Sequence, residues 1–485
     1  MPDHRPTGAF VSGPLTTDDA ALFADLYELT MAASYFREGM RQDATFSLFV
    51  RTLPAGRSFL VAAGLEDVLE YLAGFRFTPE ALQYLERIGL FERAFLDFLA
   101  GVRFTGTVRA VPEGTVLFPD EPLLEVTAPL IEAQLVETAI MNICHLQTVL
   151  ASKAARVVLA ARGKPVVDFG LRRTHGIDAG LKAARASHIA GVIMTSNVLA
   201  AMHYGIGPSG TMAHSYITAF AREIDAFRAY ARAFPDRAIL LIDTYDTVAG
   251  AHKAATVARE LAASGHRLTG VRLDSGDILA LSREVRRVLD EAGCRDVRVF
   301  ASGGLDEDSI DRLLAAGAPI DAFGVGTRMN VSADAPYVDM AYKLVRHDGR
   351  DVLKLSPGKE TWPGEKQVYR RMGPDGRFSG DVLALADEPS PAPDAEAMLE
   401  PVMRDGRTLA AHPPLTAIRD RCAHQLAALP DGVRRLTGAD RYPVTPSERL
   451  VTRQRAVAAA ALEGDGASRP AADSLRSPSI RRQSL

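Results

Sequence analysis

Hydrophobic and polar residues alternate with different periods along the chain, and each period predicts a kind of element. From Thr16 onward apolar residues recur at helical spacing, with Leu22, Leu26, Leu29 and Ala33 on one face. Thr16 and the two residues after it carry side chains that commonly cap such a helix. The elements predicted next are, in chain order, a strand at 44–53, helices at 58–73 and 80–99, a small antiparallel sheet within 105–127, and a buried helix at 131–161.

The pattern changes after residue 161 into short apolar runs separated by longer, Ala-rich helical stretches. Such alternation of strand and helix predicts a parallel sheet. Because each run ends in glycines or polar residues, an α/β barrel is favoured, and a doubly wound sheet remains the alternative. The runs lie at 166–170, 191–194, 205–210, 238–243, 270–274, 297–304 and 320–326.

Beyond residue 335 the sequence returns to β-like segments, and the end of the chain is rich in Ser, Pro and Arg, which is typical of disorder. We therefore expect five parts. They are a flexible arm at 1–15, an N-terminal α+β domain at 16–130, an α/β barrel domain at 131–335, a segment at 336–455 that packs with the N-terminal domain, and a disordered tail at 456–485.

Composition and charge narrow the class of protein. The 485 residues include 56 Lys and Arg against 60 Asp and Glu, so the basic excess of a general nucleic-acid binder is absent. The sequence shows neither the roughly 18–20 uninterrupted apolar residues of a membrane span nor the pattern of a secretion signal. Cys144, Cys294 and Cys422 are too few and too far apart for a disulfide framework or a CxxC metal site. We expect a soluble, cytoplasmic protein without a nucleic-acid or membrane partner.

Glycine-rich turns follow the last two predicted strands, as ASGG at 301–304 and GVGT at 324–327. Glycines at a strand end let backbone N–H groups approach an anion, and the start of the next helix adds a favourable dipole. Ordinary tight turns are the alternative. As a pair on successive late strands they favour a phosphate site, which barrels of this kind usually place there.

Acidic residues follow two other strands. Asp243 and Asp274 stand at the strand tips, where carboxylates could hold Mg²⁺ through water, stabilise a developing positive charge or orient sugar hydroxyls. Asp246 and Asp277 come three residues later and are better explained as helix caps.

Arginines and one histidine complete the set of candidate groups. Arg172, Arg173 and Arg272 fall at strand ends, and guanidinium groups pair with carboxylate or phosphate, so an anionic substrate is expected. His214 follows a Gly-Thr turn and is either catalytic or a solvated, structural residue. No HExxH, P-loop or GxSxG motif occurs, and we name no direct metal ligand. The segment 354–370, with Lys354, Lys359 and Lys366, is either a solvated loop or a cationic lid over polyphosphate.

Eight sequence blocks between Thr16 and Arg370 resemble the nicotinate phosphoribosyltransferase family in both order and spacing. They are DLYELTMAASYF (25–36), FSLFVRTLPAGRSFLVAAGLEDVLEYL (46–72), DFGLRRTHGIDAGLKAARASHIAG (168–191), TSNVLA (195–200), SGTMAHSYI (209–217), DTYDT (243–247), GVRLDSGD (270–277) and FGVGT (323–327).

The resemblance implies a fold and a reaction. The fold would be the irregular TIM-like α/β barrel of the type II phosphoribosyltransferases, joined to an α+β domain. The reaction would be ATP-coupled transfer of phosphoribose from phosphoribosyl pyrophosphate (PRPP) to nicotinate, giving nicotinate mononucleotide and pyrophosphate in NAD salvage. Mg²⁺ would accompany PRPP and ATP, and the enzyme would be a homodimer with shared active sites.

The resemblance also assigns roles to residues. Tyr27 would stack on the pyridine ring, either in its own chain or reaching into the neighbouring subunit, and His214 would be phosphorylated from ATP. Asp274 and Asp243 would stabilise the positive charge that develops on the ribose as pyrophosphate leaves. Nicotinate would be bound by Tyr27, Arg172, Ser196, Thr211 and Arg272, and PRPP phosphate by Ser302, Gly303, Gly304, Gly326 and Thr327.

Two positions depart from the family pattern: Met194 stands where a glycine is frequent, and Gly304 where an aspartate is common.

Three rival functions are alternatives to nicotinate phosphoribosyl transfer. Nicotinamide phosphoribosyltransferases resemble the chain but carry an acidic residue at the position of Ser196, where it would repel a carboxylate. A ligand sensor without turnover is opposed by the presence of His214, Arg272 and Asp274. A Schiff-base aldolase lacks its lysine at the strand ends.

Overall fold

The computed structural model describes residues 20–464, so the predicted arm at 1–15, the caps at 16–18 and residues 465–485 lie outside the described residues. The chain forms two compact units. Unit 1 combines the residues up to Val149 with those from Tyr337 onward, and unit 2 comprises Leu150–Pro336. The expected barrel domain began at residue 131, whereas the division between the units falls at 149/150, inside a long helix.

Seventeen α-helices occur between residues 20 and 464, with two short 3₁₀ helices at Ala20–Leu22 and Leu171–Arg173. The α-helices are α1 Leu26–Arg37, α2 Leu65–Gly74, α3 Pro79–Ile88, α4 Arg93–Gly101, α5 Leu130–Leu135, α6 Glu137–Ala160, α7 Ile177–Ile189, α8 Val198–Tyr204, α9 His214–Thr218, α10 Glu223–Ala233, α11 Thr247–Ala263, α12 Ile278–Glu291, α13 Glu307–Ala315, α14 Thr327–Asn330, α15 Leu415–Ala428, α16 Asp431–Arg434 and α17 Glu448–Gly464.

Twenty strands occur in the same range. They are β1 Asp43–Val50, β2 Leu60–Val61, β3 Thr107–Ala110, β4 Val116–Leu117, β5 Pro122–Pro129, β6 Val166–Asp168, β7 Met194–Thr195, β8 Gly207–Pro208, β9 Ile239–Leu241, β10 Gly270–Leu273, β11 Arg298–Ala301, β12 Ala322–Val325, β13 Met340–His347, β14 Arg350–Asp351, β15 Lys366–Met372, β16 Phe378–Leu385, β17 Glu396–Ala397, β18 Glu400–Arg404, β19 Arg407–Thr408 and β20 Val444–Pro446.

Unit 1 is built on an antiparallel sheet of seven strands in the order β14-β13-β1-β5-β3-β18-β19. Strands from before and after unit 2 therefore hydrogen-bond within one sheet. Phe46 on β1 lies opposite Leu344 on β13 and opposite Val126 on β5, and its ring stacks on that of Tyr342 at 4.8 Å. These apolar contacts join the two ends of the chain into one core.

Unit 2 contains a parallel sheet of seven strands in the order β8-β7-β6-β12-β11-β10-β9. The last strand of this sheet along the chain, β12, pairs with the first strand of the sheet, β6. From β9 to β12 and on through β6 to β8 the strands therefore follow one another in one direction, whereas the order of a doubly wound sheet reverses from its first strand. The pairing of β12 with β6 therefore identifies the sheet as that of an irregular α/β barrel and excludes a doubly wound sheet. Each of the seven predicted runs contributes one of its strands.

Several sequence predictions for unit 1 are corrected by the structure. The helix predicted at 58–73 begins with the strand β2, and the helix predicted at 80–99 is two helices because Gly89, at φ +73°, ends α3. The predicted disordered tail begins too early. Helix α17 continues to Gly464, and its Ala-rich sequence at 456–461 favours helix.

The lysine-rich segment at 354–370 is not uniformly a solvated or lid-like loop. Lys366 is 2% exposed, and its Nζ lies 3.2 Å from Glu125 Oε1 and donates to the Gly364 carbonyl at 2.7 Å. Burial lowers the pKa of Lys366. This lysine therefore belongs to the core of unit 1, and the prediction that it forms part of a cationic lid is wrong.

Helix α6 confirms the buried helix predicted at 131–161, apart from a break at Val136 that separates it from α5. Among residues 20–464 it alone is long and apolar enough to cross a membrane, but 72% of its most apolar window is buried within the protein. It has the character of a core helix.

Candidate active site

A cavity of about 500 Å³ lies where strands of the parallel sheet end at their carboxyl termini, the end at which α/β barrels place their active sites. Three guanidinium groups and one carboxylate carry the charge of its lining, a balance that favours a polyanion. The lining residues are Phe169, Leu171, Arg172, Arg173, Ser196, Gly210, Thr211, Met212, Ala213, His214, Arg272, Asp274, Ser302, Gly303, Gly304, Gly324, Gly326 and Thr327.

Arg272 projects from β10 into this cavity. Its Nη1 donates to Thr211 Oγ1 at 2.8 Å and its Nη2 to the Met212 carbonyl at 3.1 Å, while its buried Nε has no partner. Burial lowers the pKa of Arg272, because the charged form loses hydration. No carboxylate among residues 20–464 forms an ion pair with this guanidinium, so its charge remains available to an anionic ligand.

Two carboxylates meet beside Arg272. Asp274 Oδ1 accepts a hydrogen bond from Ser302 Oγ at 2.5 Å, and the Asp274 N–H donates to Asp243 Oδ2 at 3.0 Å. Asp243 Oδ2 also accepts from Ser275 Oγ at 2.6 Å, while Asp243 Oδ1 is buried without a partner. Asp274 therefore faces the cavity, and Asp243 fixes the backbone of the Asp274 turn from behind.

His214 is the first residue of α9 and lies half-exposed at the cavity. Its Nδ1 lies 3.1 Å from Thr244 Oγ1, and its Nε2 lies 4.0 Å from Asp274 Oδ2. The ring is thus held between the turn after β9 and the turn after β10, with a carboxylate available to a protonated imidazole.

The glycine turn after β11 leaves no room for a side chain at Gly303. Gly303 has φ +86°, and a Cβ there would lie 1.7 Å from the Asp274 carbonyl oxygen. Gly304 follows at φ +65° with open space around it. The second turn leads through Gly326 into the first turn of α14, so backbone N–H groups from both turns border the cavity.

The chain matches three family models. These describe the nicotinate phosphoribosyltransferase N-terminal domain (residues 22–145), the nicotinate phosphoribosyltransferase family (165–357) and the nicotinate phosphoribosyltransferase C-terminal domain (392–454). The nicotinate phosphoribosyltransferase pncB2 of Mycobacterium tuberculosis is 53% identical over 436 residues, which cover 89% of this chain and 92% of that protein. The chain belongs to the nicotinate phosphoribosyltransferase family.

Other relatives extend the similarity. The nicotinate phosphoribosyltransferase of Bacillus subtilis is 39% identical over 462 residues, covering 89% of this chain and 94% of that protein. The crystal structure of the human nicotinic acid phosphoribosyltransferase superposes with a TM-score of 0.80 at 30% identity, over 89% of this chain and 99% of that one. The barrel with its associated α+β unit is thus a family fold.

Most site residues expected from the resemblance to nicotinate phosphoribosyltransferases line the one cavity. Arg172, Ser196, Thr211, His214, Arg272, Asp274, Ser302, Gly303, Gly304, Gly326 and Thr327 all contribute to its surface. Two do not. Asp243 lies behind Asp274, and Tyr27 belongs to α1 of unit 1, where its side chain is 46% exposed. Asp246 and Asp277 are helix caps as predicted, because their side chains accept from Ala249 N and Ala280 N.

Three residues at the site of this nicotinate phosphoribosyltransferase family member were missed from the sequence. Phe169 presents its ring to the cavity 5.9 Å from the Arg272 guanidinium, and Thr244 holds His214. Asp168 is 1% exposed behind the cavity wall. Phe169 and Asp168 stand in the run 166–170. An aromatic residue and a carboxylate at the tip of a predicted strand could have indicated both as site residues, whereas no sequence pattern indicated the contact of Thr244 with His214.

Proposed function

We propose that this chain transfers phosphoribose from PRPP to nicotinate, forming nicotinate mononucleotide and pyrophosphate with coupling to ATP. The observation that carries the proposal is Arg272, a half-buried guanidinium without a carboxylate partner that faces the cavity between an aromatic ring and two glycine turns. A planar carboxylate is the partner that such a guanidinium recognises best.

The base site lies around Arg272. The nicotinate carboxylate accepts from Arg272, with Thr211 holding the guanidinium in place at 2.8 Å. The pyridine ring rests against the face of Phe169, and Arg172 lies at the same wall. Ser196 completes the wall without negative charge, which favours nicotinate over nicotinamide.

The phosphate site lies across the cavity. The 5′-phosphate of PRPP accepts from the backbone N–H groups of Ser302–Gly304 and from Gly326 and Thr327. Arg173, also in the lining, adds positive charge near the entrance. This arrangement holds the ribose between the two glycine turns and Asp274.

The chemical step needs no general base. The ring nitrogen of nicotinate carries a lone pair that forms the bond to the ribose anomeric carbon, while the bond from that carbon to the pyrophosphate oxygen breaks. Positive charge develops on the ribose, and Asp274 stabilises it electrostatically, with Asp243 fixing the Asp274 turn at 3.0 Å. The products are nicotinate mononucleotide and pyrophosphate.

ATP coupling is assigned to His214. A ring nitrogen takes the γ-phosphoryl group of ATP, so a P–N bond forms, a P–O bond breaks and ADP leaves; water later releases phosphate. Asp274, which lines the cavity, is the oxygen donor that would hold Mg²⁺, and Asp243 behind it adds negative charge to the site. When bound with PRPP and ATP, Mg²⁺ offsets charge on the leaving group.

The proposal includes a homodimer. Exposed apolar residues beside the cavity form a patch in contact with water, and two further exposed apolar residues lie close to Tyr27 in the sequence of unit 1. A second copy of the chain would bury the first set with the second and bring Tyr27 to the partner's nicotinate. The patch consists of Leu171, Ile177, Val198, Leu199 and Met202, and the set around Tyr27 consists of Phe23 and Leu26.

The cytoplasm is the proposed location. ATP is abundant there, and a reducing environment suits the three buried cysteines, all of which are free thiols.

The decisive experiment measures phosphoribosyl transfer from PRPP to labelled nicotinate and, separately, to labelled nicotinamide. Wild type and His214→Ala are compared with and without ATP and Mg²⁺. We expect nicotinate-selective product formation that ATP stimulates in wild type, and no ATP stimulation in His214→Ala.

Each other outcome has a distinct meaning. Transfer to nicotinamide would refute the role of Ser196 in base selection. ATP stimulation that persists in His214→Ala would refute the phosphorylation site. A folded protein that binds PRPP but transfers to neither base would be a ligand sensor.

A further inference from the structure

Asp168 lies at the tip of β6, behind the cavity wall, and its carboxylate joins three separate segments. Its Oδ1 accepts from the Gly170 N–H at 2.8 Å and from Asn330 Nδ2 at 2.9 Å. Its Oδ2 accepts from Thr195 Oγ1 at 2.7 Å. This carboxylate is 1% exposed and accepts three hydrogen bonds. Its removal would destabilise the fold, because each of the three donors would be left without an acceptor and away from water.

Each of those partners leads directly to a cavity residue. Gly170 precedes the 3₁₀ helix that carries Arg172 and Arg173, and Thr195 precedes Ser196. The Ser196 N–H also donates to the Asp168 carbonyl at 2.8 Å. These contacts form the wall assigned to the base.

Asn330 leads to the opposite wall. It ends the one-turn helix α14, which begins at Thr327, and its N–H donates to the Gly326 carbonyl at 3.1 Å. Gly170 packs against it so closely that a Cβ at residue 170 would lie 2.2 Å from Asn330 Cγ. The phosphate wall is therefore held to the base wall through Asp168 and Asn330.

We propose that Asp168 is a positioning residue that sets the spacing between the nicotinate wall and the phosphate wall of the active site. It touches neither substrate, because its carboxylate is enclosed by its three donors. The inference rests on the roles proposed above for the two walls. Its distinctive consequence is that the branches of the network act on different substrates.

The experiment measures KM and kcat for nicotinate and for PRPP in four variants of the full chain. In Asp168→Ala we expect KM for both substrates to rise at least about tenfold, since the two walls lose the spacing that holds the substrates in place. Thr195→Val is expected to raise KM for nicotinate alone, and Asn330→Ala KM for PRPP alone. Asp168→Asn is expected to stay within about threefold of wild type, because its amide oxygen still accepts from Gly170 and Asn330 while the Thr195 hydroxyl turns to accept.

Glu223→Ala is the matched control for lost stability. Glu223 is a buried carboxylate of unit 2 that pairs with Lys253 at 2.7 Å and does not line the cavity. We expect it to lower the melting temperature with both KM values unchanged. If Asp168→Ala does not fold, Thr195→Val and Asn330→Ala, each removing one donor, decide the matter.

The proposal is overturned if folded Asp168→Ala keeps both KM values, if Asp168→Asn is as impaired as Asp168→Ala, or if Thr195→Val and Asn330→Ala affect both substrates equally. Arg272→Gln is measured in parallel. If that variant leaves KM for nicotinate unchanged, the assignment of the base site fails. If it raises KM while the Asp168 variants do not, only the positioning role fails.

Discussion

Arg272 and Asp274 stand two residues apart at the end of β10, so they carry opposite charges to the same side of the sheet. The Arg272 guanidinium finds only a hydroxyl and a carbonyl as partners. The Asp274 carboxylate accepts from the Ser302 hydroxyl, while the Asp274 backbone N–H donates to Asp243. Each charge is oriented by neutral groups and keeps its strength for a ligand of opposite charge.

Arg272→Gln tests that interpretation at the residue scale. We expect kcat/KM for nicotinate to fall about 10- to 100-fold, because hydrogen bonds to a charged group are worth about 1.5–3 kcal/mol. Any slow transfer to nicotinamide, which lacks the carboxylate, should change much less. An equal loss with both bases would contradict the assignment of Arg272 to the carboxylate.

Glu28 makes a pH-dependent contribution to the stability of unit 1. Its side chain is fully buried, Oε1 accepts from the Thr138 N–H at 3.0 Å, and Oε2 has no partner. Burial raises the pKa of Glu28 from 4.5 to about 7. The folded chain then binds a proton that the unfolded chain has lost, so the stabilising contribution of Glu28 is fully present below pH 4.5 and is lost as the pH rises to about 7.

Glu28→Gln should remove that decline. We expect the variant to be about 1–2 kcal/mol more stable than wild type at pH 8, since it carries no charge to bury and keeps the acceptor for Thr138. Urea unfolding between pH 4.5 and 8 measures the effect. Glu38→Gln, on an exposed residue that caps the same helix, is the control and should leave the profile unchanged. A Glu28→Gln profile parallel to wild type would refute the account.

At the scale of the element, the turn between β11 and α13 combines close packing with a rigid exit. Gly303 fits against the Asp274 carbonyl, while the capping box of Asp306 and Ser309 fixes the start of α13. The turn after β11 is therefore shaped by its neighbour, the turn after β10, as much as by its own sequence.

Gly303→Ala and Gly304→Ala form a matched pair for that turn. Both require positive φ, which costs an alanine about 1–2 kcal/mol, but only Gly303 would also place Cβ 1.7 Å from another backbone atom. We expect Gly303→Ala to be the less stable variant in thermal unfolding and to raise KM for PRPP at least tenfold. Gly304→Ala should lose less stability and raise KM for PRPP less, because its Cβ meets no other atom. Equal effects of both variants would show that strain in φ alone governs the turn.

At the scale of the whole molecule, the proposed homodimer requires that Tyr27 of one chain reach the nicotinate site of the other. Tyr27 lies on unit 1 and is 46% exposed, and the cavity is lined wholly by unit 2. Active sites shared between two subunits would explain both the exposure of Tyr27 and the apolar patch beside the cavity.

Mixed dimers test that arrangement. Tyr27→Ala and Arg272→Gln chains with different tags are co-expressed, and the heterodimer is purified on both tags. If sites are shared, one of its two sites holds both native residues, and we expect about half the wild-type activity. Each homodimeric variant should be weakly active. Activity of the heterodimer no higher than the mean of the two homodimers would contradict shared sites, and a monomer in sedimentation would contradict the dimer.

Much of the fold was predictable because the spacing of apolar residues within short segments indicates which segments form strands and helices. Seven apolar runs marked the seven parallel strands, and the chemistry at their ends together with the family resemblance named eleven of the residues that line the cavity. Helix ends were less predictable. A glycine at 89 divided one predicted helix, and an Ala-rich stretch carried α17 to Gly464.

The sequence by itself determined which segments are strands, which residues end them and which family they belong to, since periodicity and motif spacing are local properties. Only the tertiary structure decided the pairing of β12 with β6, the burial of Lys366 beside Glu125, and the position of Asp243 behind Asp274. It alone disclosed Asp168 holding Thr195 and Asn330. These contacts join residues that lie 27 to 241 positions apart, and no local pattern encodes which distant partners the packing brings together.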